Sequence, residues 1–579
     1  MTSKRLRRVV GTFLTIHVFL VVVMAWTHSP NPDEVAHLPC GLAIWKQGRF
    51  DLYAVNPPLV RLTASFPLLF TKARLPDSVK NLPRPEFEFG DRFLALNQQN
   101  ARRYFFYARL ACVPFTILGG IVCFLWASDL FGKAPGVAAL VLWCFSPNVI
   151  AWGSTICPDL AATSLGLLAS YLFWRWLKQP TFSRALYCGL ALGLCELSKL
   201  TWIVLYGLWP VVWLLWMFCS GKPLKQYWST GKSLVGILLL ALYVTNAFYL
   251  FEGTFSKLGS YRFQSDFFND LQRQNVLGLN LGELRLPVPK DYVIGIDTQK
   301  RDFESGRLDS YLLGRWSTQQ GWWYYYLVGM LVKAPTGTIV LFVLASLVFL
   351  FKRGDETTID LGVLVLLLPA LELFIFVSSQ TGFSRHFRYV LPVVPFLFIF
   401  SSSLFVPSVA RKARQLPYAL LLWSTISSML VFPHSFSYFN EIAGGPNNGW
   451  RFLLDSSLDW QQDLYFLKAW QDKNPEKSPL FVDYYGDNAP NLFGIKTAGK
   501  PPGFSRFRHN ADAQDNAAPY PSGWYAVSVH ELLHYTNDYQ YLCDREPVDK
   551  IGFSIYIYHI EEDEKKSTAV REDAGPIVQ

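Results

Sequence analysis

Lys4-Arg5-Leu6-Arg7-Arg8-Val9-Val10-Gly11-Thr12-Phe13-Leu14-Thr15-Ile16-His17-Val18-Phe19-Leu20-Val21-Val22-Val23-Met24-Ala25-Trp26 opens the chain, and Asn31-Pro32-Asp33-Glu34-Val35-Ala36-His37 follows shortly after. A helix needs ~20 largely apolar residues to cross a bilayer. Val9–Trp26 offers such a run behind a basic flank, and no small-x-small cleavage pattern follows it. It therefore reads as an uncleaved first membrane helix. Two adjacent acids then stand just past its far end.

Further apolar segments repeat the signal at Tyr104–Ala127, Ala134–Trp152, Leu160–Leu177, Ala185–Ser198, Trp202–Cys219, Leu234–Phe251, Lys333–Phe351, Ile359–Val377, Tyr389–Val406 and Leu416–Phe432. The expected fold is an α-helical polytopic membrane protein with about eleven transmembrane helices. Composition agrees. Of the 579 residues 51% are hydrophobic and only 17% charged, below the ~25% charged residues of soluble chains. Trp and Tyr are abundant, as membrane interfaces favour. The net charge of +9 falls mostly between apolar runs, so topology accounts for it better than nucleic-acid binding. The cysteines show no C-x-x-C spacing and read as small buried hydrophobes.

Cytoplasmic loops collect Lys and Arg. With a cytoplasmic N-terminus, alternate short loops hold Lys133; Lys178 and Arg184; Lys222, Lys225 and Lys232; Lys352 and Arg353; and Arg411, Lys412 and Arg414. That parity supports the short Ala185–Ser198 helix. It puts loops 27–103 and 252–332, and everything from 433, on the extracytoplasmic face. The expected domains are a membrane domain 1–432, a small α/β or α+β domain 433–560, and a loose charged tail 561–579. In the second domain Leu458–Trp470 suits a helix. Leu480–Tyr485, Trp524–Val529 and Phe553–Tyr558 have strand character.

The acid pair Asp33-Glu34 suits proton abstraction from a hydroxyl nucleophile, or metal ligation through oxygen. It equally suits the first turn of a helix running to about Trp45, where acids meet the helix dipole. In Asn56-Pro57-Pro58-Leu59-Val60-Arg61 the prolines start a helix running along the membrane towards Phe70. Asp159 opens the fourth apolar helix at its outer end, where it suits a cap, and three acids on one face of the membrane are more suggestive than any one of them. Lys333 and the run Arg385-His386-Phe387-Arg388 supply positive charge for a phosphate or for lipid headgroups. Glu196 and Lys199 are spaced to meet on one helical face. His17 and Glu372 lie in apolar helices with no evident partner.

Taken together, Asp33-Glu34, Asn56-Pro57-Pro58-Leu59 and Pro158-Asp159 resemble the GT-C glycosyltransferases. The nearest groups are the protein O-mannosyltransferases (glycosyltransferase family 39) and the aminoarabinose transferases of lipid A. Lys333-Ala334-Pro335, Arg388-Tyr389-Val390-Leu391-Pro392, Phe439-Asn440-Glu441 and Asp459-Trp460-Gln461-Gln462-Asp463-Leu464 resemble bacterial phospholipid-carrier-dependent members. The resemblance implies a polyprenyl-phosphate or dolichyl-phosphate sugar donor and a site at the outer membrane surface. It implies Asp33 as general base, with Glu34 and Asp159 lining the same site. His37, Asn56, Arg61, Lys333, Arg385, His386 and Arg388 become candidate substrate-binding residues, and Asp33 with Glu34 a candidate divalent-metal site. Two departures stand out. Two residues separate the acid pair from His37 where the mannosyltransferases have one, and Asn56 stands where the aminoarabinose enzymes carry Lys. Donor phosphate contact then passes to Lys333 or Arg388.

The expected activity is transfer of a hexosyl or pentosyl group to a protein, lipid or glycan acceptor, with inversion, in a bacterial inner membrane. Two other classes stay open: a transporter or flippase of lipid-linked sugars, and a non-catalytic envelope assembly protein.

Overall fold

The computed structural model describes residues 3–77, 84–276, 278–305, 309–351, 361–407, 415–486, 488–503 and 520–561. Within them the expected apolar segments are helical. Among the described residues six helices are long and apolar enough to cross a membrane: Lys4–Thr27, Ala101–Phe131, Leu200–Cys219, Leu224–Phe248, Leu361–Ser379 and Phe387–Phe405. Two bent pairs raise the total to eight if each is one span. Of the other expected spans, Phe182–Glu196 has 15 residues and Gln415–Val431 has 17, short of a full crossing. The 21-residue Pro158–Lys178 is long enough but lies outside the six. The basic loop residues Lys352, Arg353, Arg411, Lys412 and Arg414, and residues 562–579, lie outside the described residues.

Proline sets both bends. Lys133–Cys144 and Pro147–Gly153 meet at 59°, with Ser146 capping the second piece. Tyr325–Lys333 and Thr336–Phe351 meet at 113° across Ala334-Pro335. Proline disfavours helical backbone in the residue before it, and Ala334 is extended at φ −92°, ψ 141°. Carbonyls released by that break are taken up by two residues: Asn148 donates to the Lys333 carbonyl at 2.7 Å, and Asn440 serves three others. The Asn440 side-chain amide donates to the carbonyls of Leu331 at 2.6 Å and Ala334 at 2.8 Å, and its backbone N–H donates to Val332 at 2.9 Å.

Loop 27–103 is itself largely helical. Pro32–Gln47 begins with a reciprocal cap: Asn31 accepts from the Glu34 N–H, and Glu34 accepts from the Asn31 N–H. It ends at Gly48 in the left-handed region. The proline-started helix lies at Leu59–Ser65 and continues as a 3₁₀ turn to Phe70. The two helices cross at Gly41, where any Cβ would stand 2.1 Å from the Arg61 carbonyl oxygen. Only glycine allows that approach, and it fixes Arg61 beside the helix carrying Asp33 and His37. Ile44 and Phe50 then pack with Leu197, Leu200, Tyr249 and Tyr292, tying this loop to helix Lys290–Ser305.

The chain divides into two compact units, Met1–Leu458 and Asp459–Gln579. The first unit includes residues 435–457, which make short 3₁₀ turns. The second unit has the helix Leu464–Lys473 and a four-stranded sheet ordered Leu480–Asp483, Gly523–Ser528, Ile555–Ile560, Asp549–Ile551. Its first pair is parallel and the others antiparallel. Tyr525, Val527, Leu532, Leu542, Tyr558 and Ile560 form its core. The helix starts later than the expected Leu458. The last strand runs to Ile560 because both its faces are largely covered, so simple alternation misplaces its ends.

Candidate active site

Asp33 sits in the first turn of helix Pro32–Gln47, its carboxylate directed at Arg388. Arg388 Nη1 lies 2.9 Å from Asp33 Oδ2 and 3.7 Å from Asp159 Oδ2. Asp159 opens helix Pro158–Lys178, and its other oxygen accepts from Lys199 Nζ at 2.7 Å. Both cations also lie against aromatic faces. Lys199 is 4.7 Å from the Tyr389 ring, and Arg388 is 5.3 Å from Trp152 and 5.6 Å from Tyr389. Two acids and two cations from four distant stretches thus form one cluster.

Glu34 belongs to a different arrangement. Arg109 donates to both its oxygens, and the backbone N–H groups of Ile156 and Asn31 add two more bonds. Arg109 also donates to the carbonyls of Ala25, His28 and Ser29. This group fastens the turn between the first helix and the helix of Asp33. A metal held jointly by Asp33 and Glu34 would have to displace Arg109.

His37 is one helical turn beyond Asp33, buried, and stacked on Tyr53 at 4.6 Å. Neither ring nitrogen has a hydrogen-bond partner among the described residues. Burial pushes its pKa down to about 3, with Asp33 and Asp159 opposing and Arg61 and Arg388 assisting. Arg61, also buried, donates to the Asn56 carbonyl at 2.6 Å and lies 5.4 Å from the Tyr53 ring. The Asn56 amide donates to the Tyr53 hydroxyl at 3.2 Å. Tyr53 therefore gathers His37, Asn56 and Arg61.

Lys333 and Arg388 pack into one enclosed cluster with Asn148, Trp152, Ser456 and Ser457. Lys333 Nζ donates to the carbonyls of Phe436 at 2.9 Å and Ser457 at 2.5 Å, and lies 4.4 Å from the Phe439 ring. Arg385 is paired with Asp455. His386 Nδ1 is 2.8 Å from Ser456 Oγ and 3.0 Å from Asp455 Oδ1. Burial holds its pKa below the usual value against the pull of Asp455. Arg385 and His386 thus brace the turn that presents Arg388.

The structure does not pair Glu196 with Lys199. Helix Phe182–Glu196 stops there, and Lys199 is extended at φ −159°, ψ 134°, so helical spacing no longer applies. Glu196 accepts from the Tyr292 hydroxyl at 2.8 Å instead. His17 does have partners, Thr116 and the Cys144 carbonyl. Arg109 escaped the sequence reading altogether. Its signal was available: a cation inside an apolar helix, which marks a buried partner.

Residues 99–249 match the sequence profile of the family described as dolichyl-phosphate-mannose-protein mannosyltransferase. No curated protein matches the sequence. Among solved structures, ArnT from Cupriavidus metallidurans bound to undecaprenyl phosphate is similar at 13% identity, covering 95% of this chain and 97% of that one, with TM-score 0.44. The oligosaccharyltransferase of Archaeoglobus fulgidus is similar at 13% identity over 85% of this chain and 64% of that one, with TM-score 0.41. Likeness at this level leaves the site to be read from the chain's own residues. The matched segment carries Arg109, Asp159 and Lys199, and over that segment the chain is similar to the mannosyltransferase family.

Proposed function

We propose that the protein moves a hexosyl or pentosyl group from a polyprenyl-phosphate carrier to an acceptor hydroxyl, at the extracytoplasmic face of a bacterial inner membrane. The observation that carries this reading is the difference in access among the three acids. Asp33 keeps 20% of its side chain exposed, against 2% for Asp159 and none for Glu34. Each acid is paired with a cation, Glu34 with Arg109, Asp159 with Lys199 and Asp33 with Arg388, but only Asp33 keeps open surface for a hydroxyl. It is the acid fitted to act as base.

In a single displacement Asp33 takes the acceptor hydroxyl's proton as its oxygen attacks the anomeric carbon. The bond to the carrier phosphate breaks on the opposite face, and the configuration inverts. Negative charge then grows on the leaving phosphate. Arg388 lies beside Asp33, Lys333 packs in the same cluster as Arg388, and the two supply fixed donors for that charge. Asp159 and Lys199 hold Arg388 in place, and His37, Asn56 and Arg61 form the neighbouring wall.

The test is release of labelled sugar from a polyprenyl-phosphate donor by protein in liposomes. Loss of a general base typically lowers rate ~10²–10⁴-fold. Asp33→Asn should show that loss with an unchanged thermal transition. Full turnover by Asp33→Asn would remove the base assignment. No release by the wild type across several sugars and divalent ions would favour transport or assembly.

A further inference from the structure

A polar cleft of about 540 Å³ lies at the end of helix Leu361–Ser379. That size falls within the usual range of small-ligand sites. It opens on the same side of the membrane as the acid cluster. The chain leaves one span at Ser379 and enters the next at Phe387, with no crossing between them. Its floor is built from close backbone contacts. A Cβ at Gly382 would stand 2.2 Å from the Phe303 carbonyl oxygen, and one at Gly321 would stand 2.5 Å from Ser384 Cβ. The Gly321 N–H also donates to the Thr381 carbonyl at 2.8 Å. Three distant segments are thus locked together.

The floor is joined to the acid cluster by one continuous strip. The Tyr325 hydroxyl donates to the Arg385 carbonyl, Arg385 and His386 hold Asp455, and Arg388 reaches Asp33. The lining chemistry is selective. Gln319, Gln320 and Gln380 bring side-chain amides, and Thr318 and Thr381 bring hydroxyls. Lys300 and Glu304 pair with each other at 3.3 Å, so among the described residues the lining carries no net charge. Amides both donate and accept, as sugar hydroxyls do. A phosphate or acidic lipid would call for Arg or unpaired Lys, and a lipid chain would call for apolar walls.

We propose that this cleft binds an uncharged saccharide and that the acceptor is accordingly a glycan. The second part rests on the transferase reading above. The saccharide lies against Gln319, Gln320 and Gln380, and its terminal hydroxyl is directed along the 384–388 strip to Asp33.

The test uses the intact protein in nanodiscs and saturation-transfer NMR. The probes are neutral manno-, gluco- and galacto-configured trisaccharides, with a serine-containing alanine pentapeptide as comparison. One trisaccharide should bind, and the double variant Gln320→Ala/Gln380→Ala should weaken it about tenfold, as expected for two lost hydrogen bonds. Sugar release from the polyprenyl-phosphate donor without acceptor should stay within about twofold in that variant, which shows that the fold and the acid cluster survive. Binding of the peptide but of no trisaccharide overturns the proposal in favour of a protein acceptor. Binding of no probe, or trisaccharide binding unchanged in the variant, overturns the cleft assignment. Variant-sensitive trisaccharide binding without any donor turnover keeps the cleft and rejects the transferase reading instead.

Discussion

Arg109 and Glu34 meet face to face, Nε to Oε1 at 2.8 Å and Nη2 to Oε2 at 2.7 Å, with side chains 3% and 0% exposed. Removing one member of such a pair strands the other charge, at a cost of ~3–5 kcal/mol. Arg109→Met should therefore lower the thermal midpoint in detergent sharply, followed by tryptophan fluorescence. Arg109→Met/Glu34→Leu should recover part of the loss, since apolar replacement of a buried pair is often neutral. A double variant less stable than the single one would mean that the bonds from Asn31 and Ile156 to Glu34 outweigh the ion pair.

Lys199 offers a cleaner contrast between sequence spacing and structure. Spacing alone couples it to Glu196, while the structure couples it to Asp159 at 2.7 Å. Double-mutant cycles on stability should give ~1 kcal/mol or more for Lys199 with Asp159 and nothing resolvable for Lys199 with Glu196. Turnover should fall about tenfold or more in Lys199→Met, a loss of ~1.4 kcal/mol in transition-state stabilisation. Glu196→Gln should change it little, because the amide oxygen still accepts from Tyr292.

His37 makes stability depend on pH. Its folded pKa is held at about 3 by burial, against an ordinary 6.5. Below pH 6.5 the unfolded chain binds a proton that the folded chain refuses. Its neutral burial is therefore fully tolerated above that pH, and stability falls as pH drops towards 3. The limiting slope for one proton is ~1.4 kcal/mol per pH unit. His37→Phe should flatten the thermal midpoint between pH 6 and pH 4, an interval of about two units inside that window. A wild-type and variant pair with parallel profiles would show that His37 is not buried neutral.

The fold was largely legible because apolar runs near membrane length are a strong signal. The bends at Pro147 and Pro335 were not anticipated, because Ala134–Trp152 reads as one apolar run and Lys333–Phe351 as another. Placing Asp33, Asp159 and Arg388 on one face needed only loop charge and parity. Their partners were harder. Arg109 hides in an apolar helix, and no local pattern points from it to Glu34. Lys199 was misassigned because helical spacing was carried past the end of its helix. Residues 435–457 lack any apolar run, so nothing in the sequence shows that they pack into the first compact unit as single turns.

Those same turns have a consequence for biogenesis. Lys333 receives its acceptors from the carbonyls of Phe436 and Ser457, and the break beside it is closed by Asn440. A nascent chain carries Lys333 long before it carries any of the three. The last apolar helix, Gln415–Val431, must be made before this group can be seated. The ammonium therefore waits for its ligands through the insertion of several helices, and a chain released early cannot complete that corner of the molecule.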